Sequence, residues 1–109
     1  MLCYEVNLSV DAEIAGAYRA WLDEHIRAIL KLDGFEGATL FERAKAEDAY
    51  HDPGDDGRLL LTVQYRLRDR ASFEAYLKDH APAFREDGLK RFGGRFSAKR
   101  RVLMELAEY

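Results

Sequence analysis

The chain is poor in the residues that staple or interrupt a fold: of its 109 residues, one is cysteine and two are proline. A single thiol, Cys3, rules out an internal disulfide, and a cytoplasmic location is expected. Glu5 is its charged neighbour in sequence and disfavours a thiolate, so a reactive cysteine is not expected. No apolar run approaches the ~18 residues that a membrane span needs. The opening residues Leu2-Cys3-Tyr4-Glu5-Val6 alternate like a strand, with neither a basic n-region nor a small-residue cleavage site, so a signal peptide is not expected. A phosphate-cradling glycine loop is missing too, since Gly93-Gly94 lacks the strand–loop–helix setting. No Ser-His-Asp or Cys-His arrangement follows from spacing.

What is present fits one domain spanning residues 1–109, and a chain of this size buries roughly 60–70% of the surface its unfolded form exposes. The net charge is −3, unevenly spread: residues 1–60 carry 13 acids and 6 bases, residues 61–109 carry 7 acids and 11 bases. That asymmetry can guide self-association or steer an anionic ligand toward the C-terminal part. The overall sign disfavours a nucleic-acid partner. Lys90, Arg91, Arg95, Lys99, Arg100 and Arg101 are interleaved with Phe92 and Phe96, but a solvated helix end and a charge-guarded edge strand explain them more simply than a base-stacking platform.

Hydrophobic periodicity predicts six main elements. Leu2, Tyr4, Val6, Leu8 and Val10 alternate with polar residues in a first strand. Asp11 is the expected N-cap of a helix over about Ala12–Leu32, stopped at Asp33-Gly34. A second strand follows at about Gly37–Ala44, with Ala38 and Leu40 competing against Thr39 and Phe41 for the buried face. Lys45–Gly57 reads as an acidic loop with a turn at Asp52-Pro53-Gly54. A third strand, about Arg58–Leu67, places Leu59, Leu61, Val63, Tyr65 and Leu67 on one face. A second helix begins near Asp69 to Ser72 and carries Phe73, Tyr76, Leu77, His80 and Phe84 along a stripe that Pro82 breaks or kinks. Helical structure continues to about Phe92, and a fourth strand covers about Phe96–Leu106.

The order β-α-β-β-α-β defines an α+β, ferredoxin-like fold: a four-stranded antiparallel sheet with two helices on one face. The other face would carry Glu5, Asn7, Ser9, Leu60, Thr62, Gln64 and Arg66, too apolar in places to be wet and too polar for a monomer core. A second copy packing there is the expected solution, making a homodimer through the open face of the sheet.

Chemistry is expected between sheet and helices. At roughly 100° per residue, Ile14, Tyr18, Trp21, Leu22, His25, Ile29 and Leu32 share one stripe, opposite Glu13, Glu24, Arg27 and Lys31. His25 lies near the middle of that stripe, where an unsatisfied imidazole costs about 1–3 kcal/mol. With Tyr4, Tyr18, Trp21, Tyr65, Tyr76 and His80 it would line an aromatic cavity suited to a flat, even polycyclic, hydrophobic or aromatic metabolite. His25 would be the catalytic proton acceptor if the protein is an enzyme, and the other six residues would bind ligand. The alternative is a filled core in which each Tyr and His is satisfied internally. An open pocket of about 300 Å³ or more beside His25 would favour a ligand. No metal site is expected, because no third ligand joins His25 and His80, and Asp48, His51, Asp52, Asp55 and Asp56 lack the pattern of a calcium loop.

The element order, the segment Trp21-x-x-x-His25-Ile26 and the ending Gly88-Leu89-x-x-Phe92-Gly93-x-x-Phe96-x-x-x-Arg100 resemble an uncharacterised bacterial family of the dimeric α+β barrel superfamily, over nearly the whole chain. That superfamily includes antibiotic-biosynthesis monooxygenases, haem-degrading oxygenases, polyketide cyclases and EthD-like proteins. The resemblance implies a fold, a dimer and a cavity between sheet and helices; it implies no particular reaction. A cofactor-independent monooxygenase or cyclase is the enzymatic reading, with no cofactor expected. Haem binding ranks lower. Haem-degrading relatives use a strand-one asparagine with a tryptophan and a haem-ligating histidine on helix two. Asn7 and His80 occupy such positions here, but Tyr76 stands where a tryptophan would be needed, Asn7 is on the strand face opposite Tyr4 and Val6, and Pro82 disturbs the helix at His80.

Overall fold

The computed structural model describes residues 1–44 and 57–109. Its elements are β1 (Leu2–Val10), α1 (Ala15–Ile29), β2 (Phe35–Glu42), β3 (Leu59–Leu67), α2 (Arg70–Asp79), α3 (Ala81–Phe92) and β4 (Phe96–Met104). The sheet order is β2-β3-β1-β4 with every neighbouring pair antiparallel, which is the ferredoxin-like arrangement. The expected acidic loop, including Asp48, His51, Asp52, Asp55 and Asp56, lies outside the described residues except at its last position.

Each boundary has a local cause. The Asp11 carboxylate accepts a hydrogen bond from the Glu13 amide and caps a single tight turn over Ala12–Ile14, so α1 proper begins three residues later than its periodicity suggests. Its regular turns end at Ile29, and Gly34, at φ 87°, reverses the chain into β2. A Cβ on Gly34 would collide with Ser72, so this position needs glycine twice over. The Arg68 amide donates to the Gly34 carbonyl at 2.8 Å, which lets β2 start at Phe35, two residues earlier than expected.

Register settles the facing of β2. Ala38 and Leu40 sit opposite Tyr65 and Val63 on the helix side, while Thr39 and Phe41 sit opposite Gln64 and Thr62 on the open face. On the helix side, Leu2, Tyr4, Leu8 and Val10 of β1 and Leu61, Val63, Tyr65 and Leu67 of β3 form the core with Tyr18, Leu22 and Ile29 of α1 and Phe73 and Tyr76 of α2.

Pro82 divides the second helix in two. It has no N–H to give and its ring excludes the carbonyl four residues back, so α2 ends at Asp79 and α3 restarts with Pro82 in its first turn. His80, at φ −129° between them, leaves the helical path.

The open face is knitted by polar side chains. Glu5, only 3% exposed, accepts hydrogen bonds from Arg101 Nε, Asn7 Nδ2 (3.0 Å) and Gln64 Nε2 (2.9 Å). Arg101 foremost, with Asn7 and Gln64, holds the Glu5 carboxyl down at about 2 against the opposing effect of burial. Thr62 donates to Asn7 at 2.7 Å, Arg43 donates to Thr62, and Arg58 reaches Ser9. Beneath these arms Leu60 is 1% exposed.

Candidate ligand cavity

A cavity of about 240 Å³, partly open to solvent, lies between the helix side of the sheet and the helices α1 and α3. Six of the seven residues expected to form a site line it: Tyr4 on β1, Tyr18, Trp21 and His25 on α1, Tyr65 on β3 and Tyr76 on α2. His80 does not. It is exposed at the α2–α3 corner, because the helical periodicity that aligned it with Phe73, Tyr76 and Phe84 is interrupted by Pro82. The helix-two position of the haem comparison is therefore turned away from the cavity. Asn7 is likewise committed to the open face, bonded to Glu5 and Thr62. Among the described residues no cluster of three or more His, Cys, Asp or Glu is placed to hold a metal ion.

The walls are aromatic. Tyr4 stacks on Tyr65 with ring centroids 5.8 Å apart, and Tyr18 packs against Trp21, Phe92 and Phe96 at 5.4, 5.0 and 5.1 Å. Trp21 is anchored from outside: its indole Nε1 donates to Asp87 Oδ2 at 2.9 Å, and Asp87 is also held by Arg91. The fixed indole stacks on His25 at 4.6 Å and 21°, and Phe84 meets the imidazole edge-on at 5.2 Å.

Held between two aromatic rings, His25 has no hydrogen-bond partner among the described residues. Burial pushes its pKa down to about 4, with Arg100 adding to the drop and Asp87 opposing it, so the ring is neutral at pH 7. The hydroxyls of Tyr18, Tyr65 and Tyr76 are in the same position. These residues are 1, 2 and 4% exposed, and no described residue hydrogen-bonds to any of the three hydroxyls. Burial raises all three pKa values, that of Tyr76 to about 12, so they remain protonated donors. Tyr4 differs, accepting a bond from Arg85 Nη2 at 3.3 Å. Four polar groups lining the cavity thus have no hydrogen-bond partner among the described residues and are left to partners that enter it, where an unmade bond costs about 1–3 kcal/mol each.

Residues outside the expected set complete the cavity: Phe84, Arg85, Gly88, Phe96 and Arg100. Arg100 had a legible signal. The alternation Phe96, Ala98, Arg100, Val102 in β4 places it on the helix side, opposite Val6. Gly88 lets α3 come close to α1, with its Cα-borne hydrogen where a Cβ would lie 3.1 Å from the Trp21 ring.

A family model described as "Domain of unknown function (DUF4286)" matches residues 1–106. The chain belongs to the DUF4286 family. No curated protein sequence matches this DUF4286 chain. Among solved structures, a Deinococcus radiodurans protein provisionally described as an antibiotic biosynthesis monooxygenase is 18% identical, with a TM-score of 0.70 over 100% of this chain and 96% of its own. A mutant of SnoaB, a cofactor-independent oxygenase from Streptomyces nogalater, is 10% identical, with a TM-score of 0.67 over 98% of this chain and 95% of its own. A dimeric ferredoxin-like protein from an uncultured marine organism is 14% identical, with a TM-score of 0.66 over 99% and 97%. At these identities the likeness establishes that DUF4286 shares the ferredoxin-like fold of these proteins.

Proposed function

We propose that this DUF4286 protein is a homodimer that binds a small aromatic or hydrophobic metabolite between sheet and helices. One observation carries the reading: an aromatic cavity in which a neutral imidazole and three buried tyrosine hydroxyls have no hydrogen-bond partner among the described residues. A filled core would have satisfied them internally. The volume refines the ligand. Cavities near 150 Å³ accept benzene, whereas drug-sized ligands occupy about 300–1,000 Å³. At about 240 Å³ the cavity falls short of the roughly 300 Å³ expected of a ligand pocket, and what it can hold is one or two fused rings, smaller than a polycyclic ligand. Native mass spectrometry of the gently purified protein tests this directly. The expected spectrum shows two chains plus a small mass that denaturation releases; a bare mass, together with unchanged amide spectra on titration with one- and two-ring arenes, rejects it.

A second reading makes the protein a cofactor-independent monooxygenase or cyclase with His25 as proton acceptor. Its support is that the His25 ring is neutral at pH 7, the form that accepts a proton, and has no hydrogen-bond partner among the described residues. A pKa near 4 makes it a weak base until a neighbouring anion stabilises the imidazolium. The two readings separate in the His25→Phe variant. Bound ligand with turnover abolished favours the enzyme, whereas retained ligand in a wild-type protein that never converts it favours the binder.

A further inference from the structure

Two arginines border the cavity with no ion-pair partner among the described residues: Arg85 on α3 and Arg100 on β4. Exposed Lys99 also has no ion-pair partner among the described residues, but the other nearby cations are engaged. Lys90 pairs with Glu86, Arg91 with Asp87, Arg95 with Asp11 and Glu13, and Arg101 with Glu5. Arg85 instead donates to the hydroxyl of Tyr4, a cavity residue. Arg100 stands opposite Val6 on the helix side of the sheet, an inward strand position where an apolar residue would ordinarily sit.

Both guanidinium groups border the same cavity. Each acts on the Tyr76 hydroxyl, and the Arg100 charge is also felt by Tyr18, His25 and Tyr65. A guanidinium on a partly open aromatic pocket presents a planar fork of donors that matches a carboxylate in two-point contact. The rest of the pocket is ring-sized and ring-walled.

We propose that the ligand class is a compact aromatic carboxylate, its one or two rings held among Tyr18, Trp21 and Tyr65 and its anionic group held by Arg85 and Arg100. This rests on the reading that the cavity holds a ligand, and it adds the sign of the ligand's charge. The excess of bases over acids in residues 61–109 would draw such an anion toward this side of the molecule.

The test uses matched probes on the full chain at pH 7: benzoate against benzamide and 2-naphthoate against 2-naphthamide, each pair alike in ring and differing in charge. Titrations followed by amide chemical shifts are expected to show the carboxylate of at least one pair binding tenfold or more tightly than its amide. Added salt should weaken the carboxylate alone. In the double variant Arg85→Gln with Arg100→Gln, the preference should fall to near parity while amide affinity holds. Both side chains are exposed, so the fold should survive, which circular dichroism checks. Equal affinity for carboxylate and amide, or a preference that survives the double variant, overturns the charge assignment and leaves the ligand reading standing. Binding of none of the four probes overturns both.

Discussion

At the scale of single residues, His25 has the most to reveal, because its environment sets a measurable property with a definite sign. Trp21 and Phe84 enclose the imidazole, and burial holds its folded-state pKa at about 4, against 6.5 for the free side chain. Between those values the unfolded chain takes up a proton that the folded chain refuses. Stability from this group is therefore fully present above about pH 6.5 and is lost as pH falls toward 4, by at most about 3 kcal/mol. Glu5 cannot produce the same effect in the same window. Its folded pKa of about 2 lies below the ordinary 4.5, so its contribution fades only under more acid conditions. Urea midpoints at pH 7.5 and pH 4.5 should accordingly drop more for the wild type than for His25→Phe, which keeps the ring stack without the titrating nitrogen. Parallel losses would mean that His25 is solvated and ordinary. An aromatic carboxylate in the cavity would oppose Arg100's effect and raise the His25 pKa, visible in its ring carbon shifts.

At the scale of elements, α3 lies close to α1 at one point on the cavity wall. Gly88 is that point, 3.1 Å from its would-be Cβ to the Trp21 ring and 3.5 Å to Phe96. Gly88→Leu should fill the opening: arene binding should weaken at least tenfold, and overpacking should cost about 1–3 kcal/mol in urea unfolding. Undiminished binding in a folded Gly88→Leu protein would put the ligand elsewhere. At the reversal into β2, Gly34→Ala should be costlier than its size suggests. It meets a φ of 87° and the Ser72 side chain together, so a loss of about 2 kcal/mol or more is expected. A variant as stable as the wild type would show that the turn can be rebuilt.

The same elements show what was legible beforehand. The uninterrupted alternation from Leu2 to Val10 marks β1 to both ends, and the α1 stripe aligns Tyr18, Trp21 and His25 because nothing breaks that helix. Where periodicity was carried up to a proline, it misplaced a residue: His80 shares a stripe with Tyr76 only if its backbone stays helical, and ahead of Pro82 it turns off at φ −129°. Facing in β2 was ambiguous, since Ala38–Leu40 and Thr39–Phe41 are both partly apolar, and only pairing with Val63 and Tyr65 decides it. Arg100 was hidden in a basic run, although its strand parity set it apart.

At the scale of the whole molecule, the open sheet face is the surface through which the proposed homodimer would form. Its middle is already roofed by the chain's own arms, with Arg58 over Ser9 and Arg43 on Thr62, so Ser9 and Thr62 are only 9 and 7% exposed. The large apolar side chains left uncovered on this face stand at its two edges: Phe41 on β2 at 45% and Leu103 on β4 at 39%. Four strands of nine residues or so cover roughly 30 Å by 19 Å, an area in the range of a standard interface of about 800 Å² per partner once side-chain relief is included. A two-fold axis would make one edge residue of each copy available to the other, and the polar centre would keep Glu5 and Arg101 paired while water is excluded. Sedimentation equilibrium should therefore give a two-chain mass. Charging both edges, as Phe41→Asp with Leu103→Asp, should give a one-chain mass with an unchanged far-ultraviolet spectrum. Because the cavity is on the opposite face of the sheet from that interface, the dissociated variant should still bind arenes. A wild-type protein of one-chain mass would remove the reason for a partly apolar open face, and a double variant that stays dimeric would move the interface to the helices.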